Sequence, residues 1–131
     1  MFALEPSDHR MISVVTADGR YAWEAYEFTR RAVAYASEVV YATGTHVTGK
    51  ELLEAIRRFG PERFGLLTRD VFRSWGVHTT DDFGEIVFNL VGAGLLNKTD
   101  EDRREDFRSV YSFDDVFSAA DYWQEVLAAS A

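Results

Sequence analysis

The 131-residue chain contains no cysteine. That absence removes disulfide scaffolds, cysteine-ligated zinc, iron–sulfur clusters and thiol nucleophiles from consideration. Proline occurs only twice, and neither an internal repeat nor a low-complexity linker is present. No apolar run approaches the ~18 residues that a transmembrane helix requires. The opening residues MFALEPSDHR carry acids where a signal peptide needs a basic start and an apolar stretch. These features lead to the expectation of a soluble, cytoplasmic protein with no membrane association. Positive charge is also scarce: 14 Lys and Arg stand against 22 Asp and Glu, for a formal charge of −8. The shortfall is uneven, since residues 48–76 carry 6 basic and 4 acidic side chains whereas residues 77–131 carry 4 and 12. The last third of the chain therefore projects a negative field that repels phosphate backbones and steers towards basic partners, or else serves solubility.

What is present is enough apolar material, 47% of residues with 15% aromatic, for one domain with a core of its own. Residues 1–18 show no lasting period; Met11–Val15 reads as a short strand or as part of a mobile arm. From Tyr21 to Ala42 the period is helical, with Ala25, Phe28, Ala32, Tyr35 and Val39 in one stripe and a favourable Glu27–Arg31 pair on the other side. Thr48-Gly-Lys-Glu51 is a capping box that opens a second helix, buried through Leu52, Leu53, Ile56 and Phe59. Gly60-Pro61 is expected to stop it and start a third, whose Phe64, Leu67, Val71 and Trp75 share a side before Gly76 ends it. A fourth helix runs from about Asp81 to Gly92, capped by Thr79 or Thr80, with Phe83, Ile86, Val87 and Leu90 on its core face.

Beyond Gly92-Ala-Gly94, residues 95–99 read as a strand, and Phe107–Phe113 alternate with a two-residue period. Together they predict an antiparallel hairpin across the turn Asp100–Asp106. Ser112 with Asp115 can cap a last helix, in which Val116, Ala120, Trp123 and Leu127 share a face. The fold class expected is therefore mainly α (α+β): a winged-helix-like helical domain over 19–131, with one β-hairpin wing and flanking N- and C-terminal helices.

The runs RYAWEAYEF, HVTGKELLEAIRRF, RFGLLTRDVFRSWGVHTTDDFGEIVFNLVGAGLL and DRREDFRSVYSFDDVF cover about three quarters of the chain. In that order the chain resembles a family of small conserved hypothetical bacterial proteins known mainly from planctomycetes and verrucomicrobia. The resemblance implies a single domain in a bacterial cytosolic setting; the family has no assigned activity, so no catalytic residue transfers.

A winged helix invites a nucleic-acid reading, but the outward face of the fourth helix holds Asp81, Glu85, Phe88, Asn89 and Gly92, and only Asn89 suits base readout. The wing turn has five acids and two arginines, leaving little for phosphate binding. Arg57, Arg58, Arg63, Arg69 and Arg73 form a basic strip on the second and third helices; it reads as a solvated face pairing with Glu54, Glu62 or Asp70, or as a phosphate- or RNA-contacting patch. His9, His46 and His78 have no metal-binding spacing; His78 beside Asp81 or Asp82 reads as a dyad or, far more often for a loop histidine near a capped helix, as structural. No nucleophile elbow, phosphate loop, dinucleotide fingerprint or EF-hand survives inspection. No cofactor and no metal are implied.

Phe88 is the feature that favours protein contact, an aromatic on a polar face with Gly84 and Gly92 four residues to either side. The sequence thus predicts a non-enzymatic protein-interaction module. Its contact residues would be Glu85, Phe88, Asn89, Asp100, Glu101, Asp102, Glu105 and Asp106, meeting a basic protein surface or a second copy. The alternative is nucleic-acid or ribosome association through the five arginines.

Overall fold

A computed structural model describes residues 3–4, 10–40, 46–118 and 127–128. The chain is mainly helical: β1 (Ala3–Leu4), α1 (Arg10–Ala17), α2 (Trp23–Tyr35), a π-helical turn (Ala36–Val40), α3 (Gly49–Phe64), a 3₁₀ turn (Gly65–Leu67), α4 (Thr68–Ser74), α5 (Thr80–Gly92), β2 (Leu96–Asn97), a second 3₁₀ turn (Arg104–Phe107) and α6 (Phe113–Val116).

Packing centres on α2. Its Ala25, Tyr26, Phe28, Thr29, Ala32 and Val33 are buried, and the Phe28 ring lies 5.2 Å from Phe59 and Phe72 and 5.5 Å from Trp75. Phe72 extends the aromatic core to Phe83, Phe113 and Phe117. Each such ring, fully buried, contributes about 2–3 kcal/mol. The stripe expected on this helix is buried as far as Ala32; Tyr35 is half-buried, and Val39 lies exposed in the π-helical turn.

The N-terminal segment differs from expectation. Residues 10–17 are helical rather than extended, with Met11 and Val14 buried on the core. Three-residue spacing had too few turns to register as a period. At the start of this helix Arg10 donates from Nη1 to the carbonyl of Gly94, 2.9 Å away.

The capping box of α3 forms in both directions: Glu51 N donates to Thr48 Oγ1 at 3.1 Å and Thr48 N to Glu51 Oε1 at 2.8 Å. The expected stop at Gly60-Pro61 does not occur. Proline normally excludes helix from the residue before it by pressing on that residue's Cβ, and Gly60 has none. Glycine there also lets α4 approach, since a Cβ at position 60 would meet Thr68 Cγ2 at 2.7 Å and Phe72 Cζ at 3.2 Å. The chain instead turns at Gly65, whose φ of +55° favours glycine. Shifting the turn by four residues rotates the buried face of α4: Thr68 and Phe72 are fully buried and Leu67 is exposed.

The predicted hairpin is also replaced. The expected strand at residues 95–99 is reduced to β2, and β2 pairs antiparallel with β1, in the register Ala3↔Asn97 and Leu4↔Leu96, instead of with the segment at 107–113. That segment is an irregular loop, with Ser109 at φ +46°. Its apparent two-residue period comes from three separate anchors. Phe107 is buried against α3 and α5, Tyr111 donates its hydroxyl to the carbonyl of Leu53 at 2.6 Å, and Phe113 enters the aromatic core. The wing of a winged helix is therefore absent among the described residues. Residues 119–126 of the expected last helix lie outside the described residues; Val116 is half-buried and Leu127 exposed.

Candidate functional site

The start of α5 clasps the 3₁₀ turn that follows β2. Phe107 sits in a notch made by two glycines: a Cβ at Gly84 would lie 2.8 Å from Phe107 Cβ, and one at Gly49 would lie 2.9 Å from Cε2 of the same ring. Buried Thr80 donates to the carbonyl of Phe107 at 2.7 Å and accepts from Val110 N at 3.1 Å. Asp81 accepts from Ser109 N. Asp82 accepts from the backbone of His78 and Thr79, at 2.8 and 3.2 Å, and from the Tyr21 hydroxyl at 2.6 Å. Burial first, and then Asp82, raise the Tyr21 phenol well above its usual range and keep it a neutral donor. The small residue at 84 thus receives a side chain of its own chain, not a partner helix; Gly92 has open space beside it.

The eight residues expected to meet a partner separate under this geometry. Asn89 is not presented outward: its amide donates to Asp18 Oδ2 at 2.9 Å and to the Tyr26 hydroxyl at 3.1 Å. Arg20 and then Asn89 hold the Asp18 carboxyl well below the usual carboxylate range. Asp102 is buried, accepting from the amide of Thr99 at 2.9 Å, and half-buried Asp106 accepts from Arg103 N at 3.2 Å. A hairpin turn would expose both; folded as 3₁₀ and β-turns, the same carboxylates tie the backbone of the turn. Glu85 is half-buried and paired with Arg104 and Arg20. Phe88 is half-buried, with the Arg104 guanidinium 5.1 Å from its ring centroid. Asp100, Glu101 and Glu105 remain exposed; among the described residues Glu105 alone of the three has an ion pair, with Arg108 at 3.7 Å.

The five arginines are not collected on one face. Arg63 lies over the Phe59 ring at 5.6 Å, Arg57 is close enough to Tyr111, and Arg58 to Tyr35, to act on their phenols. Among the described residues, Arg69 and Arg73 line one cavity together. It is an open groove of about 500 Å³ between α4, the 77–81 turn and the 109–114 loop. Arg69, half-buried, bridges to Asp114 at 2.9 Å, and its Nε is buried without an acceptor among the described residues. Arg73 is exposed and has no ion pair among the described residues. His78, Thr79, Ser109 and Ser112 bring polar groups to the same groove, over a floor of Val77, Tyr111 and Phe113. The Tyr111 phenol, raised above its usual range chiefly by burial, bonds away from the groove to α3.

Sequence reasoning found both groove arginines but missed Thr79, Ser109, Ser112 and Asp114, because reading 107–113 as a wing carried it away from α4. The His78 dyad does not form as imagined: the link to Asp82 is a backbone N–H, and Asp82 is already bonded by three donors. Among the described residues no cluster of three His, Asp or Glu suits a metal ion, and no helix is long and apolar enough to cross a membrane. A second cleft, of about 440 Å³, lies between α1 and the end of α5, but its charged group, Asp18, is already bonded by Arg20 and Asn89.

No family model, curated protein or solved structure matches the chain.

Proposed function

We propose that the chain is a non-catalytic protein-interaction domain that meets a basic protein surface, or a second copy of itself, through the acidic turn after β2. The observation that carries this reading is the pair Asp100 and Glu101, exposed and without a cationic partner among the described residues. Asp102 and Asp106 are bonded to the backbone of the turn and Glu85 is paired with arginines, so this pair and Glu105 are the carboxylates of the turn that stand exposed. Such a field raises the encounter rate with a basic surface and selects against polyanions. Phe88, tied to the same turn by Arg104, offers the half-exposed apolar edge beside it. Duplex readout by α5 is outside this reading, since Asn89, its one suitable side chain, is bonded within the fold.

The test is an amide chemical-shift titration of the full chain with an oligolysine peptide, with sedimentation equilibrium for self-association. The expected shifts centre on Asp100, Glu101 and Glu105 and fade as added salt shortens the Debye length to about 3–8 Å. Asp100→Asn with Glu101→Gln should weaken them at unchanged melting temperature. Shifts centred elsewhere, or no binding at low salt and no self-association, would sink the reading.

A further inference from the structure

We infer that the groove between α4 and the 109–114 loop is a binding site for a phosphomonoester, with Arg69 and Arg73 as its anion ligands and Asp114 as a built-in competitor. This inference does not rest on the acidic turn. Arg69 and Arg73 stand one helical turn apart on α4 and line the same 500 Å³ groove, a volume in the range of small-ligand sites, about 300–1,000 Å³. The groove already holds one carboxylate of its own chain: Arg69 Nη1 donates to Asp114 at 2.9 Å. Its second guanidinium, Arg73, is exposed and holds no anion among the described residues.

That inventory selects the charge of the ligand. A monocarboxylate gains little, because Asp114 offers the same group at an intramolecular effective concentration of order millimolar. A phosphate dianion carries three acceptor oxygens and can engage both guanidiniums at once, which Asp114 does not do. Thr79, Ser109 and Ser112 line the groove with hydroxyls that suit the remaining oxygens, and His78 adds a ring donor. The floor of Val77, Tyr111 and Phe113 accommodates an organic substituent rather than a bare ion. Asp81 also lines the groove, but one of its oxygens accepts from Ser109 N at 2.9 Å, which holds the loop in place. On this account phosphate binding displaces Asp114 from Arg69, and the affinity is set by that exchange.

The experiment titrates the full chain with ribose 5-phosphate, ribose, acetate and a phosphoserine peptide, read by amide shifts and calorimetry. Ribose 5-phosphate should shift Arg69, Arg73, Thr79, Ser109 and Ser112, while ribose and acetate at equal concentration should not. Tighter binding of the phosphoserine peptide than of the sugar phosphate would place the phosphate on a protein; the reverse would place it on a small molecule. Arg73→Ala should weaken binding by about tenfold or more, the scale of one charge-assisted hydrogen bond. Asp114→Asn should tighten it severalfold, an effect opposite in sign to that of a structural ion pair. Equal response to ribose, shifts confined to other surfaces, or weaker binding in Asp114→Asn would overturn the inference.

Discussion

Two neighbouring regions of this molecule are rich in polar side chains, and they differ in what those side chains have left to bond. At the start of α5, Thr80, Asp82 and one oxygen of Asp81 bond the backbone of residues 78–79 and 107–110 and Tyr21, and Gly84 gives its space to Phe107. Across the groove on α4, Arg69 holds one exposed carboxylate and Arg73 none among the described residues. The first region is a clasp whose internal bonds hold the 107–110 loop against α5. The second carries charge that the fold does not consume. A distinctive sequence is thus a guide to tight local geometry at least as often as to function; unspent hydrogen-bonding capacity in a cavity points more directly to binding.

The sharpest way to break this contrast is to open the clasp. Phe107→Ala removes a fully buried ring and should cost about 3–5 kcal/mol in urea denaturation; a loss below ~1 kcal/mol would mean the notch is not the keystone. Thr80→Val keeps the shape but removes the hydroxyl that bonds the Phe107 carbonyl and the Val110 amide, and should cost about 1–3 kcal/mol. Gly84→Ala pits a helix gain of up to ~1 kcal/mol against overpacking of about 1–3 kcal/mol. The overpacking side should win, because the added Cβ meets the Cβ of Phe107, which cannot swing aside. The control is Gly92→Ala, where space is open: its stability should stay level or rise, and equal losses at 84 and 92 would refute the packing argument.

The smallest expected effect is electrostatic. Asp18 is held low by Arg20 and Asn89, so its contribution is present above the unfolded carboxyl range, near pH 4, and lost as pH falls through the depressed native range. The pair is partly solvated and is worth at most about 1 kcal/mol. Asp18→Asn should therefore flatten the fall in stability below about pH 4 while changing little at neutral pH. A steeper acid limb in the variant would contradict the assignment.

Legibility in the sequence followed the range of the interactions. The capping box at Thr48 and Glu51, the core face of α5 and the Glu27–Arg31 pair are local, and spacing alone reveals them. What could not be read is non-local. Gly60-Pro61 looks like a stop until Thr68 and Phe72 are seen to need the space above Gly60, and residues 107–113 imitate a strand because three unrelated anchors happen to alternate. The same misreading hid the groove. A wing would have carried Ser109 and Ser112 away from α4, whereas the clasp folds them back beside Arg69 and Arg73. Asn89 and Asp102 were misassigned for a related reason: their partners, Asp18 and Thr99, became visible only once the helix–helix contacts and the tight turn were in place.

The contrast reduces to a single comparison, the denaturation midpoint and phosphomonoester affinity of Arg73→Ala measured beside those of Gly84→Ala. The account predicts that Arg73→Ala unfolds within about 0.5 kcal/mol of the parent yet binds ribose 5-phosphate at least about tenfold more weakly, while Gly84→Ala loses stability and, where still folded, retains affinity. An Arg73→Ala variant as destabilised as Gly84→Ala, with its ligand response intact, would show that the arginines brace the fold and that the groove is not a site.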